Sequence, residues 1–243
     1  MTLSVKGKRD TTMVKISKST LPPKLEKLLT KQSNPKHYRD GPVYDILLYD
    51  SHRKCYICED DGQRLLPEHI KAHKGNKNLE YDWHNILPAC WHCNEVKNSF
   101  KYDNILNCTT DDPEQYISTS ISIADLRKNV IVSLREAIQK TQKAKDLYDK
   151  ALETRNLIHS VYNNEKTAQR CDYSNKLRKK VLKEQNKLKQ KLINFETEND
   201  PQLKNEYRIA IIGMISRNAP FAAIKRDFIK SRPEYKREFG KYL

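Results

Sequence analysis

Apolar residues recur at three- and four-residue intervals along most of this chain, which predicts helices, with a break into short segments near residues 55 to 90. Pro22-Pro23 opens a helical run over Lys24 to Lys31, with Leu25, Leu28 and Leu29 on one side, and Asn34-Pro35 closes it. Asp40-Gly41-Pro42 starts a second helix, in which Val43, Tyr44, Ile46, Leu47 and Leu48 form a packed face to about His52. Then come a turn at Asp61-Gly62, a strand at Leu65 to Ile70 and a basic loop at Lys74 to Asn78. Tyr81 to Pro88 reads as a second strand or its loop, and Cys93 to about Tyr102 as a helix carrying Asn94, Val96, Lys97 and Phe100.

Beyond Asp111-Asp112-Pro113 the spacing is helical throughout. Ile123, Leu126, Val130, Leu134 and Ile138 predict a helix over Ser122 to Lys140, and Leu147 to Val161 continues that style. Leu177, Val181, Leu188, Leu192 and Phe195 form a stripe near heptad spacing on a very basic helix. Asp200-Pro201 separates it from a helix at Leu203 to Ser216, and a last piece runs from Pro220 to Lys230. Few glycines and no clean internal repeat interrupt this half. The expected class is α+β, mostly α. The expected organisation is a flexible basic arm (1–20), a small metal-held unit with leading helices (21–110) and a helical domain for partner or nucleic-acid binding (111–243).

Charge narrows the partner. Lys and Arg number 46 against 31 acidic residues, a formal net charge of +15 in 243 residues. Such an excess draws polyanions by steering and counterion release, which puts nucleic acid first. No apolar run is long enough to cross a membrane. The first ten residues are polar and basic and lack the apolar stretch of a secretory signal. Four of six cysteines fall in two pairs, a use of thiols that suits metal rather than disulfides and places the protein in the cytoplasm.

Those pairs are Cys55-Tyr56-Ile57-Cys58 and Cys90-Trp91-His92-Cys93. Two thiolates from each give the four sulfurs that tetrahedral Zn²⁺ takes, so one ion would pin together stretches some thirty residues apart. Four protein ligands leave no open position, so this zinc is structural. His92 lies between two of the cysteines and is the alternative ligand of a mixed site. Within and just after the loop lie Glu68, His69, Asn85 and Asn94. Phosphodiester hydrolysis needs a base for water and a hard cation for the phosphate charge; a neutral histidine and oxygen ligands meet those needs. Alternation along a strand sends Glu68 and His69 to opposite faces unless the strand ends or bulges there, and Pro67 suits such an end. Lys71, Lys74, Lys77, Lys97 and Lys101 surround this constellation as candidate phosphate contacts. Trp83 reads as core.

With Pro67-Glu68-His69, then Asp82-Trp83-His84-Asn85-Ile86-Leu87-Pro88-Ala89-Cys90, then Cys93-Asn94 and Lys97, the chain resembles the zinc-bearing HNH endonucleases with a ββα-metal core. The resemblance implies His69 as general base, Asn85 as the asparagine that orients the loop, and Glu68 and Asn94 as ligands of a catalytic Mg²⁺ or Mn²⁺. Glu in place of Asp and Asn in place of His are hard donors and suit such an ion. The order of parts, with Thr154 to His159 and Phe221 to Arg226 in the tail, is similar to the PtuB-like HNH subunits of Septu-type anti-phage systems, some of which accompany retrons. That likeness implies an ATPase partner of the PtuA type, a retron reverse transcriptase with its msDNA in some systems, and a substrate of DNA ahead of tRNA or other RNA. The rival readings are a non-catalytic zinc-bearing adaptor and a stand-alone restriction or homing-type nuclease.

Overall fold

The computed structural model describes residues 13–30, 38–98, 101–122, 129–138 and 144–243. Two short helices lead, α1 (Pro23–Thr30) and α2 (Gly41–Asp50), each with proline in its first turn, where a missing N–H costs nothing. An antiparallel pair follows, β1 (Leu65–His69) with β2 (Ile86–Cys90), in the register Leu65 opposite Cys90 and His69 opposite Ile86. Between the strands, Asn76 caps the one-turn helix α3 (Lys77–Glu80) by accepting from Asn78 and Leu79. Helix α4 (Trp91–Lys97) starts directly after β2, two residues earlier than its sequence signal, so Cys90 ends a strand and Cys93 lies in the first turn. Phe100, expected on this helix, lies outside the described residues.

Val130 to Leu134, within the helix that the spacing predicts over Ser122 to Lys140, form a strand instead. They make up β4 (Val130–Leu134), which pairs antiparallel with β3 (Ile117–Ile121) as a second hairpin. Val130 and Val132 alternate inward with the polar or exposed Ile131 and Ser133, a period of two that β-branched residues favour. Ile123 and Leu126, on which the helical reading leaned, lie outside the described residues. The edges of this hairpin are covered by side chains. Asn163 bonds both backbone groups of Val130, Arg155 donates to the Val132 carbonyl, and Asp227 accepts from the Thr119 N–H at 2.7 Å.

The later helices α5 (Ala144–Tyr162), α6 (Ala168–Thr197), α7 (Pro201–Ile215) and α8 (Ala222–Lys230) fall where the spacing predicts helix, and α9 (Pro233–Phe239) follows beyond the last predicted piece. Thr167 and Asp200 cap α6 and α7 through their side-chain oxygens. The predicted stripe on α6 is used twice. Leu177 and Val181 join the core that holds the four paired cysteines, whereas Leu188, Leu192 and Phe195 pack with Ile211, Ile215, Ile229 and Phe239 of the last helices.

The main core therefore runs across residue 110. It takes in Cys55, Leu87 and Val96 from the first unit and Ile117, Val132, Leu157, Val161 and Ile224 from the second. Glu59 ties the parts together. Its buried carboxylate accepts from the Val14 and Ala223 N–H groups, and its carbonyl accepts from Phe221, which sits at φ +49. Met13, Val14 and Ile16, in the stretch expected as a flexible arm, are buried in these cores; the residues before them lie outside the described part.

Candidate metal centre and the adjoining histidine site

Cys55 and Cys58 lie on the turn after α2, while Cys90 and Cys93 lie at the junction of β2 and α4. The first turn is laced directly to β2, because the Tyr56 N–H donates to the Pro88 carbonyl at 2.9 Å. The four sulfurs lie within 4.8 Å of one another and all four residues are buried. Cys58 Sγ is 3.9 Å from Cys90 Sγ, far beyond a disulfide bond. Zn–S bonds of about 2.3 Å in a tetrahedron set sulfurs roughly 3.8 Å apart, so the residues fit one zinc ion. Burial opposes a charge on Cys55, yet hydrogen bonds from the other three thiols outweigh it and hold its pKa well below the ordinary value. Hydrogen bonding to Cys55 pushes Cys58 well up, and burial does the same to Cys93. A divalent ion at the centre would stabilise all four thiolates. His92 is not part of this centre. Its Nε2 bonds the Val161 carbonyl at 2.9 Å and its ring stacks on Tyr173, which docks α4 onto α5 and α6.

The same two strands carry the polar constellation. His69 is the last residue of β1, the strand end that adjacent Glu68 and His69 were expected to need. His69 Nε2 lies 2.9 Å from the Glu80 carbonyl. A carbonyl only accepts, so Nε2 carries the proton and the ring's lone pair is on Nδ1. Tyr38 meets the His69 ring edge-on at 5.6 Å, and the His73 ring lies 4.9 Å away. Glu80, buried on α3, also takes Lys77 at 2.9 Å and lies 4.0 Å from His73 Nδ1.

Asn85 closes the intervening loop. Its Oδ1 accepts from the Lys71 N–H at 2.8 Å, and its Nδ2 donates to the carbonyls of Lys71 and Leu79, each at 2.9 Å. One buried side chain thereby fixes both ends of the 71–79 loop. Glu68 is mostly buried; desolvation raises its pKa, with Lys97 acting against the rise. Asn94 is on α4, one turn before Lys97 and on the same side of the helix.

The lysines divide. Lys71 and Lys101 are exposed, Lys74 pairs with Asp103 at 2.7 Å and Lys77 with Glu80. Lys97 departs from the expectation of a phosphate contact. Its side chain is 0% exposed and its ammonium faces Glu68, because α4 packs that flank of the helix onto β1. Trp83 is buried and donates to the Ser19 carbonyl, with Lys18 Nζ 3.2 Å above its ring. Sequence reasoning missed Glu80, Tyr38 and the Lys97 pairing. The Asn76 cap signal before α3 was the one local clue to Glu80's placement.

No family model matches the chain, and no solved structure matches it. A stretch of 77 residues is 34% identical to the Septu protein PtuB of Bacillus thuringiensis. The match takes in 29% of this chain and 30% of that protein, so it spans less than a third of either. Among the described residues, no helix is long and apolar enough to cross a membrane.

Proposed function

We propose that this protein is a metal-dependent nuclease of the HNH type, acting in anti-phage defence with an ATPase partner of the PtuA kind. The observation that carries the reading is the order strand, loop, strand, helix around four clustered thiols, with His69 at one strand end and Asn85 locking the loop beside it. The partial identity to a Septu PtuB protein supports the defence setting.

In this reading zinc is structural and holds the β1–β2–α4 unit. His69 takes the proton of the attacking water at Nδ1, because its Nε2 proton is committed to the Glu80 carbonyl. Asn85 keeps the loop, and with it Glu80, in place behind the histidine. Glu68 and Asn94 supply hard oxygen donors for one Mg²⁺ or Mn²⁺, which when bound would neutralise charge on the scissile phosphate. The Glu68 carboxylate takes Lys97 on one oxygen and also accepts from the His69 backbone N–H. Lys71, Lys74, Lys77 and Lys101 guide the nucleic-acid backbone.

The pairing of Lys97 with Glu68 favours one rival, a zinc-bearing adaptor in which the ammonium permanently occupies the carboxylate. Incubation of plasmid DNA and of tRNA with the chain and its co-purifying partners, with Mg²⁺ and with EDTA, separates the two. Mg²⁺-dependent cleavage that His69→Ala abolishes at unchanged zinc content supports the nuclease. Cleavage at the parental rate by His69→Ala removes the base assignment, and no cleavage under any condition leaves the adaptor.

A further inference from the structure

A cavity of about 570 Å³ lies between the β3–β4 hairpin and helices α6 and α8, in a part of the chain that the nuclease reading does not use. Its lining residues include the cations Arg135, Lys189, Lys230 and Arg232 and a single carboxylate, Asp227. That carboxylate is already committed: one oxygen takes Arg135 and the other takes the Thr119 N–H. Lys230 leans on Asp227 at 3.9 Å and on Glu114 at 3.6 Å. Lys189 and Arg232 have no carboxylate partner among the described residues; both lie over the Phe228 ring, at 5.4 and 3.9 Å.

The hydroxyls of Ser118, Ser120 and Ser133 come from one face of the β3–β4 pair, since Ser118 lies opposite Ser133 and Ser120 two residues on, and all three line the cavity. Asp227 holds Arg135 in place beside them, and Lys189 and Arg232 supply charge at the side. A phosphate, rich in acceptor oxygens and negatively charged, answers hydroxyl donors and unpaired cations together.

We infer that this cavity binds the phosphate groups of a nucleotide-sized ligand, as a site separate from the histidine centre. The volume falls within the roughly 300–1,000 Å³ usual for small-ligand sites. The phosphate chemistry is shared by a free nucleotide and by a nucleic-acid strand, and a volume of about 570 Å³ matches the nucleotide.

The test is calorimetric titration of the full chain with ATP, with pyrophosphate and with a twelve-nucleotide single strand, without added divalent ion. ATP and pyrophosphate are expected to bind at one site per chain. The Lys189→Ala/Arg232→Ala pair should weaken that binding about tenfold or more, as expected for loss of charge-assisted contacts. Lys183→Ala removes a charge from the same helix outside the cavity and should leave affinity within about twofold. His69→Ala should bind ATP like the parent. Absence of ATP and pyrophosphate binding overturns the proposal. So does binding weakened equally by Lys183→Ala, binding lost in His69→Ala, or binding of the oligonucleotide alone. Arg135→Gln, checked for intact thermal unfolding, adds a second disruption from the other side of the cavity.

Discussion

Lys97, with its side chain wholly buried, donates from Nζ to Glu68 Oε1 at 3.0 Å and to the His69 carbonyl at 2.9 Å. A helix residue thus grips the two adjacent residues on which the proposed chemistry turns. The ammonium has no access to water, so the carboxylate is its counter-charge and the carbonyl its second acceptor.

Lys97→Met should therefore destabilise the protein by about 3 kcal/mol, since removing one partner of a buried pair leaves the other charge uncompensated. Glu68→Gln combined with Lys97→Met should cost less than the two single changes added together. Denaturant unfolding of the three variants reads this out. Strict additivity would mean that the pair does not interact in solution.

Metal analysis of the purified chain should find one zinc per molecule. Cys58→Ser and Cys90→Ser should each lose it and unfold at a lower temperature, since a structural zinc contributes its binding energy to folding. Cys108 is also fully buried, and burial pushes its thiol up to about 12, but it lies outside the cluster. Cys108→Ser should keep its zinc. Full zinc content in Cys90→Ser would remove that residue from the ligand set.

Asn85 offers a sharper contrast between two substitutions. Its amide nitrogen donates to two carbonyls, so Asn85→Asp sets a carboxylate against two acceptors as well as losing both bonds. Asn85→Asp should open the 71–79 loop more than Asn85→Ala does, with each costing on the order of 2 kcal/mol or more. Amide hydrogen exchange at Lys71 to Leu79 measures it. Equal protection in both variants would show that the loop is held by other contacts.

Lys18 makes stability depend on pH. Burial lowers its pKa from 10.5 to about 7, and Asp50 offsets that only in part. The folded state therefore prefers the neutral amine. Its contribution is fully present above 10.5 and is lost as pH falls through about 7. Between those values the unfolded chain holds a proton that the folded one does not, and stability climbs with pH. Lys18→Met should climb less steeply from pH 7 to pH 10 in chemical unfolding. Parallel curves would show that the amine stays charged in the fold.

Much of this is legible in the sequence because it is local. The cysteine pairs, the prolines that open α1 and α2, and the spacing on α5 and α6 act over a turn or two of chain. Glu68, His69, Asn85 and Asn94 stood out by residue type and order, but the contacts each makes in the fold were not legible. Val130 to Leu134 were misread because Ile and Val satisfy a helical and a strand period over so short a stretch, and packing against Asn163 and Arg155 decided the matter.

By itself the sequence determined the two cysteine pairs, the helix-rich class and the basic charge, since each depends on residue type and short spacing. Only the tertiary structure decided that Lys97 faces Glu68 rather than solvent, that Glu80 supports His69, and that one core runs across residue 110. Those outcomes depend on which distant surfaces exclude water together, and no local pattern encodes that.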